Sequence, residues 1–272
     1  MEPFQPHVER VVREGAEPSA WMFVLHGLFG SAANLRPVAR RLARARPDWG
    51  FFVLDLRGHG LSAGAPPPHS IEAVVGDLCR LEASLGVPIR GVLGHSFGGK
   101  VALAYAERRP DLGAVFVLDS APGAREPDSG KGSARDVLAL LEATPQPLPS
   151  RGGFIDDASL RLDRRTAEWL AMNLRAGDDG FRFRYDLAAI RDLLADYHAL
   201  DLWHVVEDPA RAGVIHVVVG GRSDAVPPAD RARLSRHTSV RVLAGAGHWL
   251  HADDPDGLHR ALMGTRTHIP TT

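Results

Sequence analysis

Short, nearly unbroken apolar runs recur along this chain, and each stops at glycine or a polar residue: WMFVLHG (21–27), FFVLDLRG (51–58), IRGVLGHS (89–96), AVFVLDS (114–120), VIHVVVGG (214–221) and VRVLAGAG (240–247). Runs of this length, rich in β-branched and aromatic residues, predict strands. Because they are continuous rather than alternating, they predict a parallel sheet covered on both faces. Between them the period changes. NLRPVARRLARARP (34–47) places Leu35, Val38, Ala39, Leu42 and Ala45 at helical spacing, and HSIEAVVGDLCRLEASLG (69–86) opens on a Ser70 cap and stops at Gly86. FGGKVALAYAERRP (97–110) ends at a proline. Strand and helix in alternation predict βαβ units and an α/β, doubly wound, mostly parallel sheet.

The rhythm breaks after Ser120. Proline- and glycine-rich loops surround a short helix at 134–143; helices follow at 157–176 and 186–206, with FRFRY (181–185) alternating like a strand. The β-then-α pattern resumes at Val214. Residues 121–205 therefore read as a mainly helical cap inserted into a core made of 1–120 and 206–272.

Composition narrows the partners. A net charge of −1 gives no global field for nucleic acid or an anionic membrane surface. The single cysteine, Cys79, excludes an intramolecular disulfide framework and reads as a buried small residue. The acidic N-terminal stretch (Glu2, Glu9, Glu14) has no signal-peptide pattern, and no apolar run reaches the roughly 20 residues of a membrane span. A cytoplasmic protein without membrane insertion is expected; the oligomeric state is not legible.

The chemistry centres on GVLGHSFGGK (91–100), where Gly94-His95-Ser96-Phe97-Gly98 fits G-x-S-x-G. The pattern is weak alone, but here a strand precedes it and a helix follows, the setting of a nucleophile elbow. A phosphate-binding turn would read G-x-G-x-x-G or G-x-x-x-x-G-K-[ST], and neither is present. A serine nucleophile needs a base. His248 in LAGAGHWLHADDP follows the last strand among small residues; His251, three residues on, is expected at the surface. An orienting acid between serine and histidine is Asp224 in GGRSDAVPP, the favoured choice, or Asp119 in VFVLDSAP, the alternative. Oxyanion donors are expected from the Phe97 amide and from Leu28 in the LHGLFGS turn (25–31).

These residues resemble the α/β-hydrolase fold family of serine hydrolases, at LHGLFGS, DLRGHGLS (55–62), GHSFGGK, GGRSDAVPP and GAGHWLH. With LDSAP, they are most similar to the small-acyl esterase and thioesterase branch, whose cap follows the family's sixth strand. The resemblance implies Ser96 as nucleophile, His248 as base, Leu28 and Phe97 amides as oxyanion hole, and no metal or organic cofactor. It leaves the acid open between Asp224 and Asp119. The implied substrate is a small-molecule acyl ester or thioester. Candidates to line its pocket are Trp169, Met172, Phe183 and Tyr197 of the cap, with His26, His95 and Trp249 of the core. Three other readings share the scaffold. A carbon–carbon bond hydrolase or lyase of a small metabolic acid would use cap arginines Arg151, Arg175, Arg182 or Arg184; the others are a cofactor-free perhydrolase and a non-catalytic ligand-binding protein.

Overall fold

The structure of the chain is a computed structural model that describes residues 4–126 and 132–265. The apolar runs form β2 (Ala20–Leu25), β3 (Trp49–Leu54), β4 (Ile89–His95), β5 (Ala114–Leu118), β8 (Ile215–Gly220) and β9 (Ser239–Leu243). A strand that the pattern did not predict, β1 (Val8–Val11), pairs antiparallel with β3 at the edge; its four residues are too few and too exposed to show an apolar run. The seven strands lie in the order β1-β3-β2-β4-β5-β8-β9, all parallel except β1.

Every residue of β2, β3, β5 and β8 is buried, which is why their sequences do not alternate. The edge strand β9 departs from that expectation, being only half covered, with Val242 53% exposed. Helices α1 (Ala32–Ala45), α2 (Ile71–Leu85) and α3 (Phe97–Arg108) link the first strands. The Ser70 hydroxyl accepts from the Ala73 amide at 3.1 Å to cap α2, and Gly86 at φ 63° ends it. One apolar layer, with α2 and α3, covers one face of the sheet; another, with α1 and the last described helix (Pro255–Met263), covers the other.

From β2 the chain runs to β3 on one side, then returns to β4 on the other. Loops leaving the carboxyl ends of β2 and β4 therefore diverge, and open α/β sheets take ligands in the crevice so formed.

Between β5 and β8 lie α4 (Ala134–Ala143), α5 (Arg151–Ala158), α6 (Arg164–Ala171), a hairpin of β6 (Leu174–Gly177) and β7 (Gly180–Phe183), α7 (Leu187–Ala199) and the short α8 (Trp203–Val206). The single helix expected over 157–176 is thus the end of α5, then α6, then β6; Asp163 caps α6 by accepting from the Thr166 amide at 3.0 Å. The segment follows the fifth strand of this chain, not the sixth, since the numbering of the resemblance does not match the strands present here. It has its own apolar cluster, including Leu141, Phe154, Leu170, Phe183 and Ile190, which Phe29 of the core joins.

Candidate active site

Ser96 sits between β4 and α3 at φ 53° and ψ −117°. Such a conformation costs a side-chain-bearing residue ~1–3 kcal/mol and persists only where the surroundings enforce it. Here they do. A Cβ on Gly94 would fall 1.9 Å from Gly98 O, and one on Gly98 would fall 2.4 Å from Leu25 O. Strand and helix can make this corner only with glycine at both places. Among the described residues the non-glycine positions at positive φ are Phe29, Ser96 and Asp119, and all three belong to this site.

The LHGLFGS turn is held by two buried imidazoles. His59 Nε2 accepts from the Phe29 amide at 3.2 Å while its Nδ1–H donates to Arg57 O at 2.9 Å. His26 Nε2 accepts from the Leu56 amide at 3.0 Å and its Nδ1–H donates to Gly27 O at 2.7 Å. Burial, reinforced by the neighbouring His26, pulls His59 down to about 3, and burial lowers His26 as well. Both rings are therefore neutral and act as paired donor and acceptor. Asp55 completes the frame, accepting from the Ala32 amide at 2.7 Å and the Leu61 amide at 2.9 Å. From above, Asn173 Nδ2 and the Tyr185 hydroxyl donate to Phe29 O. Leu28 N–H and Phe97 N–H have no acceptor among the described residues. The DLRGHGLS block thus fixes the turn beside Ser96, a role its composition gave no signal for.

His248 Nδ1 lies 2.7 Å from Asp119 Oδ2. Asp119 is fully buried; its Oδ1 accepts from the Gly220 amide at 2.9 Å and its Oδ2 from the Ser223 hydroxyl. Asp224, the favoured acid, is exposed and has no ion pair or hydrogen bond with His248. The difference from the favoured choice follows from strand order: β5 lies beside β8, so Asp119, the residue just past β5, reaches under the histidine, whereas Asp224 is four residues past β8 in an open loop.

Neighbouring rings steady the histidine. His95 Nε2–H donates to His248 O at 2.8 Å, with the two rings 4.8 Å apart. Burial, then the adjacent His248 and His251, push His95 well below its ordinary value. His251, expected at the surface, instead packs edge-on against His95 at 5.2 Å, and burial lowers it to about 4. From α6, Arg165 lies 5.6 Å over the Trp249 ring and pairs with Asp253, whose other oxygen accepts from the Gly247 amide at 2.7 Å.

Ser96 and His248 line one cavity of about 410 Å³. Its apolar wall includes Leu28, Val137, Trp169, Leu194 and Trp249; Phe97, His95 and Tyr197 also line it. Three pocket candidates do not. Met172, the residue after α6, is 53% exposed, Phe183 stacks on Tyr185 at 5.4 Å within the inserted segment's apolar cluster, and His26 is spent on the turn. The four cap arginines also lie elsewhere: Arg151 donates to Leu174 O, Arg175 to Met172 O and Arg182 to Asp179, and Arg184 does not line the cavity. The arginines that do line it, Arg125 and Arg222, carry no distinguishing pattern in the sequence.

Comparison with known proteins identifies the family. The model of the alpha/beta hydrolase family matches residues 22–261. The chain is 30% identical over 266 residues to the sn-1-specific diacylglycerol lipase ABHD11 of Xenopus tropicalis, covering 91% of this chain and 80% of that protein. It is 27% identical over 251 residues to the esterase YbfF of Escherichia coli, covering 88% and 90%. To the N-formylmaleamate deformylase of Pseudomonas putida it is 28% identical over 263 residues, covering 93% and 90%. Among solved structures, a marine microorganism esterase has the same fold, with a TM-score of 0.80 and 22% identity over 96% of this chain and 99% of that one. No helix among the described residues is long and apolar enough to cross a membrane. The family match runs from β2 into the last helix and takes in the corner, the turn and the histidine loop, so the chain belongs to the alpha/beta hydrolase family and is a hydrolase.

Proposed function

We propose that this hydrolase cleaves a carboxylic ester or thioester through an acyl-enzyme on Ser96. His248 is the base and then the acid, Asp119 orients it, and the amides of Leu28 and Phe97 form the oxyanion hole. One observation carries the reading: a histidine held at 2.7 Å by a fully buried aspartate shares a cavity with a serine in a forced strand-to-helix corner.

The steps follow from that arrangement. Asp119 accepts from His248 Nδ1–H, which leaves Nε2 unprotonated and able to take the serine proton. Ser96 Oγ attacks the carbonyl carbon, and the negative charge on the carbonyl oxygen develops toward the two amides, commonly the largest catalytic contribution. The imidazolium gives its proton to the departing alkoxide or thiolate. Water, deprotonated by the same nitrogen, then attacks the acyl-enzyme and releases the acid. The apolar wall of Leu28, Val137, Trp169, Leu194 and Trp249 suits a short acyl chain. The lipase and esterase names of the relatives favour ester over other acyl substrates. On this reading residues 121–205 form a cap over a core of 1–120 and 206–272, and the chemistry needs no cofactor.

A fluorophosphonate probe tests the assignment. The wild type should be labelled on Ser96 and Ser96→Ala should not; equal labelling of the variant would place the nucleophile elsewhere.

A further inference from the structure

A second chamber, of about 700 Å³, adjoins the catalytic cavity and shares Arg125, Leu194 and His198 with it as a common wall. Its remaining polar lining is Arg135, Glu126 and Arg191, the last of which is paired with Glu142 at 2.5 Å, so Arg135 is the cation it adds to Arg125. On the catalytic side the same wall continues to Arg222.

Arg125 is pre-set at the junction. Its amide donates to His198 O at 2.9 Å and its Nη1 to Ala225 O at 2.7 Å, so backbone and guanidinium are both anchored. The charge it brings is not neutralised by a carboxylate within ion-pair distance among the described residues. Next to it, His198 has its Nδ1 buried with no hydrogen-bond partner. Burial, then Arg125, Lys100 and Arg135, lower its basicity, which reports a concentration of positive charge on this wall. A planar guanidinium held in place is suited to bidentate capture of a carboxylate or phosphate.

We propose that the substrate carries an anionic group which Arg125 captures at the junction, with Arg135 adding positive field from the adjoining chamber and the unpartnered His198 Nδ1 lying beside it. This rests on the acyl-enzyme reading and names its substrate class: an acyl compound bearing a carboxylate or phosphate a few bonds from the scissile carbonyl. The carboxylate would lie on the acyl part, as in a half-ester of a dicarboxylic acid; a phosphate would lie on the leaving group, as in a nucleotide-linked thioester.

Two matched pairs separate these sources. p-Nitrophenyl butyrate is compared with mono-p-nitrophenyl glutarate, and S-butyryl-N-acetylcysteamine with butyryl-coenzyme A. The anionic member of at least one pair should have a kcat/KM higher by about tenfold or more, and the advantage should shrink as salt shortens the screening length. Arg125→Ala should abolish it mainly through KM, Arg125→Lys should restore part of it, and Arg135→Ala should reduce it. Equal turnover of both members in both pairs, or a preference that survives Arg125→Ala, overturns the proposal. Calorimetric titration of Ser96→Ala with glutarate and with coenzyme A reads the anion site without turnover. Fluorophosphonate labelling reads Ser96 without an anion, so the two readings fail separately.

Discussion

Replacing Asp119 by asparagine changes one atom and, in this site, reverses the polarity of the histidine. The aspartate has two acceptor faces: Oδ1 takes the Gly220 amide at 2.9 Å, and Oδ2 takes the Ser223 hydroxyl and faces His248 Nδ1 at 2.7 Å. An asparagine has one acceptor and one donor. If its oxygen stays on the Gly220 amide, its NH2 points at His248 Nδ1, which must then accept. The imidazole proton moves to Nε2, and the ring can no longer take a proton from Ser96. If the amide is turned over, its NH2 meets the Gly220 N–H, donor against donor, in a fully buried place where an unmade hydrogen bond costs ~1–3 kcal/mol. The first arrangement wins, and a wrong tautomer costs roughly 10⁴-fold in kcat, equivalent to ~5.5 kcal/mol of barrier. Asp224→Asn removes an exposed carboxylate with no bond to His248 and should leave kcat within about threefold. Steady-state turnover of p-nitrophenyl butyrate by both variants measures this. An Asp119→Asn enzyme above about a tenth of wild-type kcat, or an Asp224→Asn enzyme as impaired as Asp119→Asn, would refute the reasoning.

Three further outcomes follow from the structure. Gly98→Ala should yield no folded protein, because its Cβ would meet Leu25 O at 2.4 Å and His26 O at 2.6 Å; Gly152→Ala, in the first turn of α5 with nothing within 4 Å, should gain ~0.5–1 kcal/mol in urea unfolding. Lys100→Met should lose ~2–4 kcal/mol, since the fully buried ammonium donates to Gly123 O, Tyr197 O and Leu200 O and ties α3 to both ends of the inserted segment. Because burial lowers the lysine from 10.5 to about 8, the unfolded chain binds the extra proton between those values, and wild-type stability should rise relative to Lys100→Met across that window. On the acid side, His59 and His95 are neutral in the fold while their unfolded forms take up protons near 6.5, so stability should fall as pH drops below 6.5, by up to ~1.4 kcal/mol per pH unit for each. A flat stability profile between pH 6.5 and 4.5, measured by urea unfolding, would contradict the buried-histidine frame of the turn.

Local patterns were enough for the local features. Buried parallel strands have no polar face, so their apolar runs are visible at once; a serine fenced by glycines between a strand and a helix marks a tight corner in the same direct way. His248 and the turn at Leu28 could be singled out as candidates from the sequence in the same way, each lying just past a strand. What needed the fold was every choice between residues equally well placed along the chain. Asp119 and Asp224 both follow strands, and only the adjacency of β5 and β8 decides which meets His248. The work of His59, Asp55 and Lys100 was invisible because each has a backbone partner 20 or more residues away, to which side-chain periodicity is blind. The alternation of the chain thus determined a parallel α/β core and a serine at its carboxyl edge. The tertiary structure alone decided which aspartate, which arginines and which cavity surround it, because those pairings depend on strand order and loop direction rather than on neighbouring residues.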